Sequence, residues 1–151
     1  MSRKVTIGLC GLTAAAGVLA LASPSRSADP PIVARVLAAG SMHPTTVHTK
    51  AGLTVLDSIT IKPGGSFGWH THPAAVEVVV ARGTLTLRDP SIRGCAAFTV
   101  PKGGAFVERA NHVHLARNDT KRPVTVYAMF MGMSKNAVAV RPAEAPAGCG
   151  G

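Results

Sequence analysis

Two histidines and a glutamate are the residues of this sequence best placed to do chemistry together: His70, His72 and Glu77. On an extended strand, residues i and i+2 point to the same face, so His70 and His72 can direct both imidazoles towards one point. A carboxylate arriving from the next strand would add a third ligand. Imidazole and carboxylate groups together suit a divalent transition metal. The spacing therefore predicts a metal site.

Pro73 governs how Glu77 relates to the two histidines. Proline cannot lie in a central strand, so the chain must bend there and Glu77 must belong to a new strand. If Glu77 points inward, Val79 and Ala81 do so as well. We therefore expect Glu77 to approach the histidines from a neighbouring strand.

A second group of polar residues lies further along the chain. His112, His114 and Asn118 share one face of an extended segment. Either histidine could supply a further metal ligand, and strand parity alone does not choose between them. Glu108 precedes this segment and could act as a general base, but a surface charge beside Arg109 is the preferred interpretation.

The segments that must position these groups are short and rich in β-branched residues. Most end at Gly, Pro, Asn or Asp, and no stretch between residues 50 and 133 shows the length and period of an amphipathic helix. This pattern predicts an all-β sandwich or antiparallel β-barrel over residues 32–133, followed by an Ala/Pro/Gly-rich tail over residues 134–151. The predicted strands are Leu53–Lys62, Glu77–Ala81, Thr84–Arg88, Ala96–Val100, Ala105–Arg109, Val113–Arg117 and Val124–Met133.

The predicted strand that contains Glu77 is apolar on both faces. Val76, Val78 and Val80 lie on the face opposite Glu77 and Val79. Strands that are apolar on both faces are covered on both faces. A chain with so little helix cannot cover an outer face, and soluble monomers rarely expose such a patch. We therefore expect a homodimer packed sheet to sheet.

The N-terminal residues predict export. Ser2-Arg3-Lys4 precedes an uncharged apolar run, Val5 to Ala22, and a small polar stretch follows, which is the order of a secretory signal peptide. The predicted signal peptide covers residues 1–22, and cleavage could fall as late as residue 28. The mature protein would be secreted or lie in the periplasm or cell envelope, with no stable membrane insertion. A retained N-terminal anchor is the alternative.

Cysteine and charge content bound the remaining function classes. Cys95 and Cys149 follow the predicted signal peptide, and an even pair in an oxidising compartment predicts a disulfide that ties the tail to the barrel. The net charge is +9, but apart from Lys121-Arg122 the basic residues after the signal peptide are scattered singly, and aromatic residues make up only 4%. Nucleic-acid binding is therefore not expected, whereas a small-molecule ligand or substrate is.

The chemistry-bearing residues give the chain a resemblance to the cupin superfamily over about Leu53 to Phe130. The first cupin motif is written G(X)5HXH(X)3,4E(X)6G. It is matched, with five residues rather than six before the last glycine, by Gly64, His70, His72, Glu77 and Gly83. The second motif is written G(X)5PXG(X)2H(X)3N. It is matched in part, with Gly94 misplaced and a longer loop before the histidine, by Pro101-Lys102-Gly103, His114 and Asn118.

The resemblance implies a double-stranded β-helix, a jelly-roll-like barrel, that binds one divalent transition metal per chain. The implied ligands are His70, His72, Glu77 and His114, and they do not distinguish iron, manganese, nickel, copper and zinc. The spacing to an asparagine selects His114 over His112 as the ligand. His112 is then the candidate catalytic residue, as a proton-transfer base. The alternatives are that it contacts the substrate, lies beside a metal ligand, or is a histidine hydrogen-bonded to solvent at the barrel mouth.

A metal with open coordination positions predicts a metal-dependent enzyme of dioxygenase type acting on a small organic substrate. The alternative is a non-catalytic module of the cell envelope that binds a metal or a small ligand. Cupin barrels host oxygenases, isomerases and lyases, so the fold does not choose among reactions.

Overall fold

The computed structural model describes residues 32–149 of the chain. The signal peptide predicted for residues 1–22, and its alternative end at residue 28, lie outside these residues. Residues 32–34 belong to one unit and carry no regular secondary structure. The second unit begins at Arg35 and contains every strand found among the described residues.

Nine β-strands and one short 3-10 turn, Arg93–Cys95, form the regular structure, and residues 32–149 contain no α-helix. A helix long and apolar enough to cross a membrane is likewise not found in this part of the chain. The strands are β1 (Leu53–Ile61), β2 (Ser66–Thr71), β3 (Ala75–Arg82), β4 (Thr84–Arg88), β5 (Phe98–Pro101), β6 (Ala105–Glu108), β7 (His114–Arg117), β8 (Val124–Met133) and β9 (Arg141–Pro142).

The strands form two antiparallel sheets whose inner faces share one apolar core. One sheet has the order β1-β8-β3-β6 and the other the order β5-β4-β7-β2-β9. The prediction of an all-β, jelly-roll-like fold is confirmed, although the two sheets stay separate rather than closing into one barrel. The core between them is built from Ile61, Ala74, Val76, Val78, Val80, Leu85, Leu87, Ala116, Val124, Val126, Ala128, Phe130 and Met133.

Gly83 makes the crossing from one sheet to the other. It separates β3 from β4, which lie in different sheets. Its φ of +79° lies in the left-handed region that favours glycine, and a β-carbon there would come within 3.0 Å of the Pro123 carbonyl oxygen and the Val124 side chain. Backbone conformation and space therefore both require glycine at this turn.

The C-terminal segment lies against the second sheet. Residues 137–149, which we name the C-terminal strap, include β9, and β9 pairs with β2 to form the edge of this sheet. The backbone N–H of Ala143 donates a 2.9 Å hydrogen bond to the Trp69 carbonyl oxygen. The predicted disulfide between Cys95 and Cys149 is present and joins the end of the strap to the loop after β4. The tail is thus packed on the domain along much of its length.

The outer face of the first sheet is apolar and partly exposed. A groove of about 260 Å³ lies beside Leu56, Val79, Tyr127 and Met129 and is bordered by residues 36–38. Leu56 is 58% exposed. The expectation that Glu77 points inward put Val76, Val78 and Val80 on the outer face, but these valines lie in the core. The outer face is nevertheless apolar, and the homodimer stays a prediction.

Candidate metal centre

Strand pairing brings three of the predicted ligands together. His70 lies in β2, His72 follows the end of β2, and His114 opens β7; β2 and β7 are paired so that His70 stands directly opposite His114. All three side chains are buried, with residue exposures of 2%, 4% and 4%. One candidate ligand atom from each lies within 4.8 Å of the other two. These three histidines could therefore hold a metal ion.

Backbone carbonyls fix the orientation of each imidazole. Nδ1 of His70 lies 2.9 Å from the Gly68 carbonyl oxygen, Nδ1 of His72 lies 2.7 Å from that of Ala139, and Nδ1 of His114 lies 3.0 Å from that of His112. A carbonyl oxygen can only accept, so each Nδ1 carries the proton and donates. In the neutral imidazole the lone pair then lies on Nε2, as metal-binding histidines require.

Glu108 completes this cluster. It ends β6, and its Oε2 lies 3.0 Å from Nε2 of His72 while its Oε1 lies 3.1 Å from Nε2 of His114. Its side chain is only 11% exposed. The preferred interpretation of Glu108 as a surface charge is therefore wrong, because the carboxylate faces the atoms that would bind a metal.

The surroundings of Nε2 of His114 show whether this cluster could accommodate a cation. Nε2 of His114 is buried and has no hydrogen bond of acceptable geometry, although the Glu108 carboxylate lies within contact distance. A buried polar atom without a directed partner is costly. A small interior cavity of about 40 Å³, lined in part by His70, His72 and Glu108, leaves room for a small ion next to these three residues. These residues fit a divalent transition metal.

The electrostatics of the cluster agree with this reading. Burial opposes ionisation of Glu108, but contact with His114 and His72 outweighs it and lowers the pKa of Glu108 to about 2. Burial lowers the pKa of His70 to about 4. For His114 burial also acts downward, but the Glu108 carboxylate outweighs it and raises the pKa. At neutral pH the cluster thus offers one anionic carboxylate and a neutral His70, a donor set that suits a cation.

Glu77 is not brought to the histidines. Along β3 the inward positions Val76 and Val78 are at most 4% exposed, whereas Glu77 points to the outer face, into the groove with Val79 and Tyr127. The expectation that Glu77 meets the imidazoles from a neighbouring strand must therefore be corrected. The physical reason is the period of two along a strand: a shift of one residue moves a side chain to the other face.

Val76 occupies the inward position where the motif would place its glutamate. The cupin motif also allows three residues before its glutamate, and six residues then separate that position from Gly83; in this chain that position is Val76. Val76 is paired directly with Glu108 on β6. The carboxylate therefore comes from the neighbouring strand, opposite the inward position of the motif. The six-residue spacing to Gly83 could have shown that Val76, not Glu77, holds the inward position.

His112 stands beside the cluster, in a larger cavity. This cavity has a volume of about 420 Å³, and its lining includes Glu108, His112 and His114 together with apolar side chains such as Phe98 and Phe106. Nε2 of His112 donates a 2.8 Å hydrogen bond to Oδ1 of Asp89. Of the two rival histidines, His114 joins the cluster and His112 lines the space next to it.

Asp89 is held in place by further donors. Its Oδ1 also accepts hydrogen bonds from the backbone N–H of Ser91 at 2.7 Å and from the Ser91 hydroxyl at 2.6 Å. Burial opposes ionisation, but the hydrogen bonds from Ser91 and His112 outweigh it and lower the pKa of Asp89. The Asp89 carboxylate is therefore an anion at neutral pH and keeps the proton of His112 on Nε2.

A small all-β jelly roll with buried histidines directed at one point is the class of protein that this fold and site define. A model of the Cupin domain family matches residues 58–130. This match and the cupin-like solved structures support a cupin-superfamily domain in this chain.

Solved structures show the same fold at low sequence identity. The polyketide cyclase RemF from Streptomyces resistomycificus is 19% identical, with a TM-score of 0.52 and 66% of each chain covered. A structure of the DMSP lyases RdDddP and RnDddQII is 18% identical, with a TM-score of 0.50 and 60% of this chain covered. This chain spans 66% and 44% of those two chains. A comparison with curated protein sequences finds no match.

Proposed function

We propose that this protein is an exported metal-binding cupin that uses a divalent transition metal to act on a small organic substrate. The observation that carries the proposal is the convergence of His70, His72 and His114, each oriented by a carbonyl at Nδ1, on a buried point beside the Glu108 carboxylate. Three imidazoles and one carboxylate leave open positions on a six-coordinate ion, and a metal bound there would supply oxygenase-type or Lewis-acid chemistry.

The cavity of about 420 Å³ provides the place for a substrate, because Glu108 and His114 lie in its lining. Its volume falls within the range typical of small-molecule sites. Apolar side chains such as Leu87, Phe98 and Phe106 form part of its wall. We infer that they bind the body of the substrate and exclude water, while the histidine end orients its polar group.

His112 is the residue that we assign to proton transfer. Its Nε2–H is committed to Asp89, so the lone pair of the neutral ring lies on Nδ1. A proton exchanged with a substrate in the cavity would therefore pass through Nδ1 of His112. The named cyclase and lyase of the same fold support catalysis on small molecules without selecting the reaction.

A non-catalytic module of the cell envelope is the second candidate. It is favoured by the signal-peptide-like N-terminal residues, and the Cys95–Cys149 disulfide supports an oxidising compartment. In this case the same site would bind a metal or a small ligand without turnover.

Elemental analysis tests the metal site. Protein purified from its native compartment should contain about one equivalent of one transition metal per chain, His114→Ala should lose it, and His48→Ala, an exposed loop histidine, should retain it. A metal-loaded protein that consumes O₂ or converts a compound in a substrate panel is an enzyme. Full metal retention by His114→Ala would contradict the proposed site.

A further inference from the structure

The three histidines differ in where their orienting carbonyls come from. His70 and His114 each use the carbonyl two residues earlier in the chain, Gly68 and His112 respectively. These two orientations are built into local backbone geometry. His72 instead uses the carbonyl of Ala139, which is 67 residues away. The orientation of one ligand thus depends on a distant segment.

Ala139 belongs to the C-terminal strap, and several contacts hold the strap on the site. Ala139 packs against the core and Val140 lines the interior cavity beside His70 and His72. The next two residues form β9, whose pairing with β2 covers the edge of the strand that carries His70. Ala143 donates to the Trp69 carbonyl oxygen at 2.9 Å. The Ala139 carbonyl therefore sits between docked elements on both sides.

The disulfide closes the strap onto the domain. Cys149 and Cys95 are 2% and 5% exposed, so the bond is buried. Cys149 also donates its backbone N–H to the Pro146 carbonyl oxygen at 2.9 Å. A cross-link between residues 54 apart restricts the free chain and favours the docked strap.

We propose that the C-terminal strap is part of the metal centre: docking of residues 137–149, secured by Cys95–Cys149, positions His72 for metal binding through the Ala139 carbonyl. This inference rests on the proposed metal-binding function and identifies Ala139 as a positioning residue rather than a ligand. Groups that orient metal ligands typically change metal affinity by about 10- to 100-fold. Because coupling between two equilibria is reciprocal, metal binding must stabilise the docked strap by the same factor.

Two variants loosen the strap by different routes. The double variant Cys95→Ser/Cys149→Ser removes the cross-link and leaves the strap sequence otherwise intact. Ala143→Pro removes the N–H that bonds to Trp69 and keeps the disulfide. Ala145→Pro is the matched control, because Ala145 is exposed and its N–H makes no hydrogen bond within the described residues.

Three measurements follow these variants. In the metal-free protein, ¹⁵N NMR of the imidazoles reports the tautomer of His72, with His70 and His114 as internal references. Amide exchange reports strap docking. It is measured at Ala143 in the wild type, the double serine variant and the control, and at position 149 in all four proteins. Competition with a chelator reports the Kd for Zn²⁺.

We expect the double serine variant and Ala143→Pro to lose the fixed Nδ1–H tautomer of His72, to exchange strap amides faster and to bind Zn²⁺ about 10- to 100-fold more weakly. The control should match the wild type, and Zn²⁺ should slow strap exchange in the wild type. If the strap amides exchange freely while the His72 tautomer and the Zn²⁺ affinity stay unchanged, the proposal is overturned. Strap amides that remain protected in both variants would equally overturn it.

The NMR measurement separates this proposal from the proposed function. A protein that binds no Zn²⁺ would refute the metal site. The dependence of the His72 tautomer on strap docking would still be decided by the metal-free spectra.

Discussion

Replacing Glu108 with glutamine tests which carboxylate belongs to the metal centre. The substitution keeps the size of the side chain and removes its charge. That charge lies 3.0 Å from Nε2 of His72 and 3.1 Å from Nε2 of His114, so its loss should affect both histidines. Glu77→Gln makes the same chemical change on the adjacent strand β3, on the outer face of the sheet. The two variants form a matched pair that differs only in which face of the sheet loses a charge.

The structure gives the size of the effect in the metal-free protein. The pKa of Glu108 is lowered from 4.5 to about 2 by His114 and His72 in spite of burial. At about 1.4 kcal/mol per unit, the folded state gains on the order of 3 kcal/mol from the ionised carboxylate. A carboxyl group with a depressed pKa contributes this stability above pH 4.5 and loses it as the pH falls from 4.5 towards 2.

Urea unfolding of chelator-treated protein near pH 6, above the pKa of Glu108 and below the raised pKa of His114, measures this contribution. We expect Glu108→Gln to lower the free energy of unfolding by about 3 kcal/mol, with the difference from the wild type shrinking below pH 4.5, and Glu77→Gln to leave it nearly unchanged. Loss of an anionic ligand should also weaken Zn²⁺ binding at least about tenfold in Glu108→Gln. A weakened Zn²⁺ affinity in Glu77→Gln together with a normal one in Glu108→Gln would refute the reasoning.

Three other outcomes are expected. Zn²⁺ titration should show a greater loss of affinity in His114→Ala than in His112→Ala, because only His114 joins the buried cluster; the reverse order would place the wrong histidine at the metal. Because burial lowers the pKa of His70 from 6.5 to about 4, the metal-free protein should lose stability as the pH falls from 6.5 to 4. Urea unfolding of His70→Gln should show a smaller decrease in the free energy of unfolding over the same pH range. Light scattering should find a dimer in the wild type and a monomer in Met129→Glu, whose substitution puts a charge in the outer groove; a monomeric wild type would contradict the homodimer.

The parts of this protein that depend on local rules were predictable from sequence. Alternation within a strand placed His70 and His72 on one face, and turn residues such as Gly83 separated the strands. The family spacing selected His114 over His112, and the structure places His114 in the cluster. These inferences need only the period of a strand and the conformation of a turn.

Glu77 failed as a predicted ligand for an equally physical reason. The bend at Pro73 interrupts strand alternation, so parity cannot be carried across it, and one residue of uncertainty decides between the core and the outer face. Glu108 could not be found by parity at all, because its position depends on the pairing of β6 with β3. Strand pairing is a tertiary property, and sequence spacing within one segment does not contain it.

The C-terminal strap makes a contact with the site that the sequence pattern did not indicate. Cysteine pairing indicated that the tail is tied to the domain, and the disulfide confirms it. The strap contacts His72 through the backbone carbonyl of Ala139. Because every residue has a backbone carbonyl, no residue type in the sequence indicates this contact. An Ala/Pro/Gly-rich composition therefore gave no sign that this segment reaches the site.

The position of Glu108 has a consequence for how a substrate reaches the centre. Glu108 lines both the small interior cavity, with His70 and His72, and the wide cavity, with His112 and His114. Under the proposed function, a substrate in the wide cavity would therefore lie against Glu108 as well as His114. Val76 does not line the wide cavity, so a carboxylate at that position would not border a substrate there. Under the proposed function, Glu108 would both bind the metal and border the substrate, so changes at Glu108 should alter substrate binding as well as metal affinity.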